Sequence, residues 1–379
     1  MTDATTAEIP DELGTAATPR LFDLDASSHV LKLEDRFIFP PFTMLDARSG
    51  AWQDRKRLWL SVATAGDIRA DDAMPTERLN SSDGRTARTF AKAGNDDEVS
   101  QKILALTDGI SIFDPVLCEM AYRWFCPPGG LVLDPFAGGS VRGIVAAVTG
   151  RRYVGIDLSP SQVAANYAHD ATMLRHRVYE PDVQPMWHVG DSYEALPTMM
   201  DRDGTEIGLG AVEAGVDFVW SCPPYGDLEK YSDDPRDLSN MPWEKFLEVY
   251  AAVIGDAVSH LKADRFCGFV VGEIRNPKGF YRGFVQATID AFEAAGTHYY
   301  NEALLVSPAG TLPMRAAKQF VVSRKMGRTH QTVLLFCKGD PKRATKACQD
   351  LRAMEGMAKG AGVNIDDIVD EDLTGMGHG

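Results

Sequence analysis

The sequence predicts an α/β fold: a mostly parallel, twisted sheet with helices on both faces and an antiparallel pair of strands at or near one edge. Three observations predict it. Between about residues 101 and 340, short apolar runs alternate with amphipathic stretches, the pattern of strand–helix repeats. Two of the runs, Leu131-Val132-Leu133 and Val216-Asp217-Phe218-Val219-Trp220, stop abruptly in unusual loops. The first loop is Asp134-Pro135-Phe136-Ala137-Gly138-Gly139-Ser140; the second is Ser221-Cys222-Pro223-Pro224-Tyr225. Finally, an acid follows each of three successive strands: Asp134, Asp157 and Asp191.

The elements follow in order. Leu131–Asp134 reads as a strand and Val141–Val148 as a helix. Arg152–Asp157 is the next strand. Ser159 caps the helix after it, with Pro160 at the first position, where a missing N–H costs nothing. Trp187–Val189 and Asp217–Trp220 are short strands. Pro242–Leu261 is a long amphipathic helix, Phe266–Val271 a strand and Tyr281–Ala295 a helix. Tyr299–Val306 and Thr332–Cys337 are the last strands, with a loop and no helix signal between them.

Flanking segments differ in character. Residues 1–35 hold eight acids against Arg20 and Lys32 and read as a flexible leader. Residues 36–100 form an accessory segment, a candidate DNA contact, in which Trp52–Leu60 is a short helix or strand carrying Arg55, Lys56 and Arg57. Residues 101–340 are the main domain. Residues 341–379 read as an acidic, disordered tail.

Of 379 residues 44% are apolar, enough for a sizeable core, and no run approaches a membrane span. The polar, acidic start lacks the pattern of a secretory signal. Six cysteines without a Cys-x-x-Cys pair predict reduced thiols and no metal site. A net charge of −15 taken alone argues against nucleic acid. Yet Ala303–Gly339 contains no acid, while Arg315, Lys318, Arg324, Lys325 and Arg328 all fall within it. These five are candidate DNA contacts, and the bland alternative is a mixed solvated face.

The first loop suits a nucleoside-containing ligand. Its glycines let the backbone approach closely. Asp157, with Leu158 beside it, is placed to accept from ribose hydroxyls, and Asp191-Ser192 follows the next strand. Gly-x-Gly-x-x-Gly is absent, so a dinucleotide is disfavoured. An acidic loop suits a cation or an ammonium, and S-adenosyl-L-methionine carries ammonium, sulfonium and ribose without phosphate. The second loop suits chemistry on a planar amine. An exocyclic amine must become more tetrahedral to attack a methyl sulfonium, and acceptors aimed at its N–H groups favour that change. Pro-Pro removes donors and leaves carbonyls, Pro223 above all. Tyr225 offers a ring to stack on an extruded base.

Asp-Pro-Phe-Ala-Gly-Gly-Ser followed by Cys-Pro-Pro-Tyr resembles the loops of DNA amino-methyltransferases, which make N4-methylcytosine or N6-methyladenine. From about Phe37 to Lys342 the chain is similar to DNA methylases of bacteriophages and prophages. Phe113-Asp114-Pro115, Trp52–Arg57, Tyr231–Asp234, Val271–Arg275 and Ser323–His330 carry that likeness. The resemblance implies a Rossmann-like class I methyltransferase domain acting on double-stranded DNA with S-adenosyl-L-methionine, in a bacterial cytoplasm. It implies that Phe113 and Asp114 meet the methionine end and that Asp134, Phe136 and Gly138 form the cradle. Asp157 then takes the ribose, Asp191 the adenine, and Cys222, Pro223 and Tyr225 the target base. Two departures stand out: Gly138-Gly139-Ser140 inverts Gly-Ser-Gly, and Cys222 replaces Asp, Asn or Ser. A thiol is a weak acceptor, so Ser221, Asp227 or the Pro223 carbonyl must carry the work. The missing acid favours cytosine N4 over adenine N6. The alternatives are an RNA methyltransferase and a non-catalytic binding protein. A C5-cytosine enzyme, with Cys222 as nucleophile, is disfavoured because the cysteine precedes the prolines. His330 and Thr329 are candidates to frame the base pocket. Glu273 either lines that pocket or caps Arg275.

Overall fold

A chain that starts at the middle of a sheet, builds outward on one side and then crosses to build the other leaves a crevice where its direction reverses. From β2 (Leu131–Asp134) onward, that is the path here. The computed structural model describes residues 38–64, 113–196, 215–228, 231–309 and 312–349. Among them are eight strands: β1 (Met44–Asp46), β2 (Leu131–Asp134), β3 (Arg152–Asp157), β4 (Met186–Val189), β5 (Phe218–Ser221), β6 (Arg265–Val271), β7 (His298–Val306) and β8 (His330–Lys338). They form one sheet in the order β1-β7-β8-β6-β5-β2-β3-β4. All pairings are parallel except those of β8, which runs antiparallel to both β6 and β7. The expected Rossmann-like arrangement is therefore present, with its reversal between β2 and β5.

The helices are α1 (Gly50–Thr64), α2 (Pro115–Phe125), α3 (Val141–Val148), α4 (Pro160–Arg175), α5 (Ser192–Ala195), α6 (Trp243–His260), α7 (Phe284–Ala294), α8 (Leu312–Ser323) and α9 (Pro341–Cys348). Ser159 caps α4, accepting from Gln162 N at 3.3 Å, with Pro160 at its first position. One sheet face buries Leu133, Ile156, Val219, Phe269 and Phe336 against Phe246, Tyr250, Phe284 and Phe292 of α6 and α7. Phe292 stacks on Phe336 at 4.2 Å. Each such ring contributes roughly 1.5–3 kcal/mol by leaving water. On the other face Tyr122 of α2 meets Phe218 edge-on, and Phe125 meets Phe266.

At the amino ends of β2 and β5, Asp217 fastens the sheet. It accepts from Leu131 N at 3.1 Å and from Lys262 and Arg265 at 2.9 and 3.0 Å. Burial pushes its carboxyl up, and these donors more than offset that, holding it below the usual carboxylate range.

Four sequence expectations need correcting. The accessory segment 36–100 does not stand apart over its described part: β1 adds to the main sheet beside β7, and α1 packs on α2. Buried Trp52 and Trp59 drive this, with Trp59 Nε1 and Arg55 both donating to fully buried Glu119. β1 thus lies outside β7, and the antiparallel β7–β8 pair sits near that edge, as expected. A helix, α8, fills the connection read as loop; Phe320, Val321 and Val322 in its last turn are exposed rather than buried. The helix read from Tyr281 begins at Phe284, because Tyr281 bridges back to Arg275. The tail read from 341 opens with α9, whose cap is Asp340 and whose Arg343 pairs with Asp264. The leader 1–35, the remainder of 36–100 and the tail beyond 349 lie outside the described residues. Among the described residues no helix is long and apolar enough to cross a membrane.

Candidate active site

Strand pairing sets the site. β2 and β5 are neighbours, and their carboxyl ends deliver the first and second loops to the same crevice. Asp134 ends β2 fully buried, and its two oxygens meet four donors. Oδ1 accepts from Phe136 N at 3.2 Å and from Ser221 Oγ. Oδ2 accepts from Tyr153 Oη at 2.7 Å and from Arg142 Nε. A carboxylate has about four acceptor positions, so none remains for a ligand. The acidic first loop is thus not the ammonium-binding charge the sequence predicts; its charge is met internally by Arg142.

Arg142 is the residue that sequence reasoning missed. Its Nη2 donates to the Phe136 and Ala137 carbonyls at 2.7 and 2.8 Å, and its guanidinium lies 4.6 Å from the Phe113 ring centre. Burial alone would pull its pKa down; Asp134 more than compensates and holds it above the ordinary value. The signal was available: a cation in the first turn of a helix opposes the dipole there, so it needs a carboxylate nearby.

The rest of the first loop forms a ledge. Pro135 and Ala137 are buried and Phe136 is half-buried. Gly138 adopts φ +51°, and a Cβ added to Gly138 or Gly139 would meet nothing within 4 Å. The backbone there faces open space that a ligand can fill. Ser140 Oγ bonds His169 Nδ1 at 2.7 Å. Asp157, at the end of β3, accepts from Gly138 N at 2.9 Å and from Ser159 N at 2.8 Å. Leu158 beside it is half-buried. Asp191 caps α5 through Oδ1, at 3.0 Å from Tyr193 N. Ser192 is turned inward: its hydroxyl donates to the Pro135 carbonyl. Asp114 is also engaged within the protein, capping α2 and accepting from Trp52 Nε1 at 3.3 Å and Lys56 Nζ at 3.0 Å.

The second loop is held at both ends. Ser221 is buried and tied to Asp134, so its hydroxyl proton points away from any substrate. Pro223 is buried; Cys222, Pro224 and Tyr225 are half-buried. Tyr225 Oη receives Gln331 Nε2 at 2.8 Å and donates to the Val270 carbonyl at 3.3 Å, while its ring meets Phe284 edge-on. Burial pushes the phenol well above its usual range, so it stays neutral and cannot serve as a base at ordinary pH. Cys222 Sγ lies 3.7 Å from the same oxygen. The side chain of Asp227 lies outside the described residues.

Glu273 takes neither role expected of it. It accepts from Gly283 N and Val285 N at 3.2 and 3.0 Å, capping α7. His330 opens β8, and its Nε2 lies 3.3 Å from Arg328 Nη1. Lys318 and Arg324 are exposed, Lys325 and Arg328 half-buried, and the Arg315 side chain lies outside the described residues.

The donor set fits a nucleoside with a cationic chain better than a phosphate ligand. An open glycine ledge lies beside two carboxylates, Asp157 and Asp191, at the strand ends where the sheet order reverses.

No family model and no curated protein matches the sequence. Among solved structures the chain is similar to a TehB-like SAM-dependent methyltransferase from Corynebacterium glutamicum (14% identity, 67% of this chain, 98% of that one, TM-score 0.35). It is also similar to magnesium protoporphyrin IX methyltransferase from Synechocystis with bound SAM (14%, 69% and 94%, 0.36). A putative RNA methyltransferase from Pyrococcus horikoshii gives 15%, 59% and 82%, and 0.33. TM-scores so far below 0.5 leave the fold to be read from the strand order itself.

Proposed function

We propose that this protein is an S-adenosyl-L-methionine-dependent methyltransferase that modifies an exocyclic amine of a base in double-stranded DNA, with cytosine N4 favoured over adenine N6. The observation that carries the reading is the hydrogen bond from Ser221 to Asp134. It fastens the Cys-Pro-Pro-Tyr loop to the Asp-Pro-Phe-Ala-Gly-Gly loop at the β2/β5 reversal, so a ligand on one lies beside a ligand on the other.

The Gly138–Gly139 ledge, Asp157 and Asp191 would hold the cofactor, and Phe136 would wall its side. When bound, the cofactor would supply an electrophilic methyl: the amine lone pair forms the N–C bond, the C–S bond breaks to leave a neutral thioether, and the amine's extra proton passes to solvent. The protein's own part is orientation. Pro223 and Pro224 present no N–H to compete with the base amine, so the loop offers carbonyl oxygen at that point. Tyr225, pinned through its hydroxyl to β6 and β8, keeps its ring in one plane for stacking on an extruded base. No carboxylate stands where Cys222 is, and that absence favours cytosine.

The test is transfer of labelled methyl from the cofactor to a pool of duplex DNA sequences by the purified protein. Transfer is expected, and Pro223→Ala and Tyr225→Ala should each abolish it while leaving cofactor binding in place. Cofactor binding by the native protein with no transfer to any duplex would contradict the reading.

A further inference from the structure

Two segments far apart in sequence meet at the carboxyl edge of the sheet. One is the turn Arg275–Arg282, after β6. It is closed by Asn276 N to Phe280 O (2.9 Å), Gly279 N to Asn276 O (2.8 Å) and Phe280 N to Asn276 Oδ1 (3.1 Å). Arg275 Nη1 donates to the Gly279 carbonyl at 2.9 Å, so the turn is well fixed. The other is Arg324–His330, before β8. Because β8 is antiparallel, its start lies at the same edge as the end of β6. The two segments join at Tyr281, whose ring has the Arg275 guanidinium at 3.8 Å and that of Arg328 at 5.5 Å. Lys325 Nζ lies against Gly279, only 2.5 Å from where a Cβ would stand.

No acid occurs in 274–289 or in 303–339. Among the described residues no carboxylate pairs with Arg275, Lys278, Arg324, Lys325 or Arg328. Like charges gathered on one surface repel, at a cost of about 1 kcal/mol per close pair even in water. A chain with 54 acids against 39 basic residues has ample means to neutralise them and does not. Burial and then the neighbouring Arg328 guanidinium pull His330 below its usual range, a local sign of the same positive field. Phe280 and Tyr281 stand exposed among these cations. The surface also adjoins the second loop: Gln331, next to His330, bonds Tyr225, and Arg282 covers Trp243, which packs on the Phe284 that meets Tyr225.

We propose that the Arg275–Arg282 turn and Arg324–Arg328 form one binding surface for the sugar–phosphate backbone of the DNA strand carrying the target base. The proposal rests on the DNA-methyltransferase reading and extends it to a turn that sequence reasoning left out. Cations would meet phosphates on either side of the target, and the exposed Phe280 and Tyr281 rings would lie along the sugars. The acidic remainder of the molecule would repel DNA elsewhere and so orient the approach.

The experiment measures binding of a fluorescein-labelled duplex by anisotropy across a salt series, with S-adenosylhomocysteine present. The native protein is compared with R275Q/K325Q/R328Q and with a control, K342Q/K346Q, on α9 at the opposite edge. Each phosphate left without its cation lowers the slope of log K against log salt by about 0.9, so the triple variant should show a slope smaller by about 2–3 and an affinity at least about tenfold weaker. The control should match the native protein, and calorimetry should show cofactor binding unchanged in both. A triple variant with the native slope, or a control weakened to the same degree, would overturn the surface while leaving the methyltransferase reading intact. A native protein that binds cofactor but no duplex would overturn both. Preference for an RNA competitor of equal length, abolished in the triple variant, would overturn the assignment to DNA.

Discussion

At the scale of single residues, the centre of the site is a buried carboxylate that does no binding of its own. Asp134 spends its acceptor capacity on Arg142, Tyr153, Ser221 and its own loop. Removing one partner of such a buried pair leaves an uncompensated charge. Arg142→Ala should therefore destabilise the protein by about 3–5 kcal/mol, read by urea unfolding, and adding Asp134→Asn should cost less than the sum of the two. Gly139→Val tests the ledge in the opposite sense. A Cβ there meets nothing within 4 Å, so stability should change by under about 0.5 kcal/mol. The same side chain would stand where the cofactor lies, and calorimetry should show affinity falling by more than about tenfold. Unchanged affinity would place the cofactor elsewhere. Tyr225→Phe keeps the ring and loses two hydrogen bonds. Turnover should fall about fivefold, the equivalent of roughly 1 kcal/mol, against complete loss in Tyr225→Ala.

At the scale of elements, β2, β3 and α3 were legible because each carries its whole signal locally. Leu131–Asp134 and Arg152–Asp157 are buried on both faces and read as continuous apolar runs. Ser159-Pro160 announces α4 by its capping chemistry. Elements defined by tertiary contact were not legible. β1 is three residues long and exists because β7 offers an edge. α2 hides its start in Asp114, read as a ligand contact yet serving as a helix cap. α8 is largely exposed, with Phe320, Val321 and Val322 open to solvent, so burial gave no reason to place a helix there. The site followed the same division: the two loops could be read from Gly-Gly and Pro-Pro, whereas the Asp134–Arg142–Ser221 network is a property of strand adjacency. Asp217 gives this scale its prediction. Its carboxyl is held low in the folded state, so its contribution is fully present above the unfolded pKa of about 3.9 and is lost as pH falls below that value. Asp217→Asn should destabilise the protein at pH 7. Urea melts repeated toward pH 3 should show the gap between variant and native protein closing. A gap that stays constant would mean that charge at Asp217 is not what fastens the sheet.

At the scale of the whole molecule, an acidic protein gathers basic residues, among those described, at the rim where the strands end and the two loops meet. Sheet topology explains the coincidence: parallel β2, β3, β5 and β6 end where antiparallel β8 begins, so one rim gathers the glycine ledge, the double-proline corner and the Tyr281 cluster. In the function proposed above, a methyl donor on the ledge and a base amine at the corner react across the β2/β5 crevice. The most direct measurement is to produce the protein in a bacterial host lacking DNA methylation, digest the host DNA to nucleosides and identify modified species by mass. N4-methylcytosine is expected with the native protein and none with Pro223→Ala. Unmodified DNA from cells making the soluble native protein, or a methyl group on cytosine C5, would contradict the proposed function.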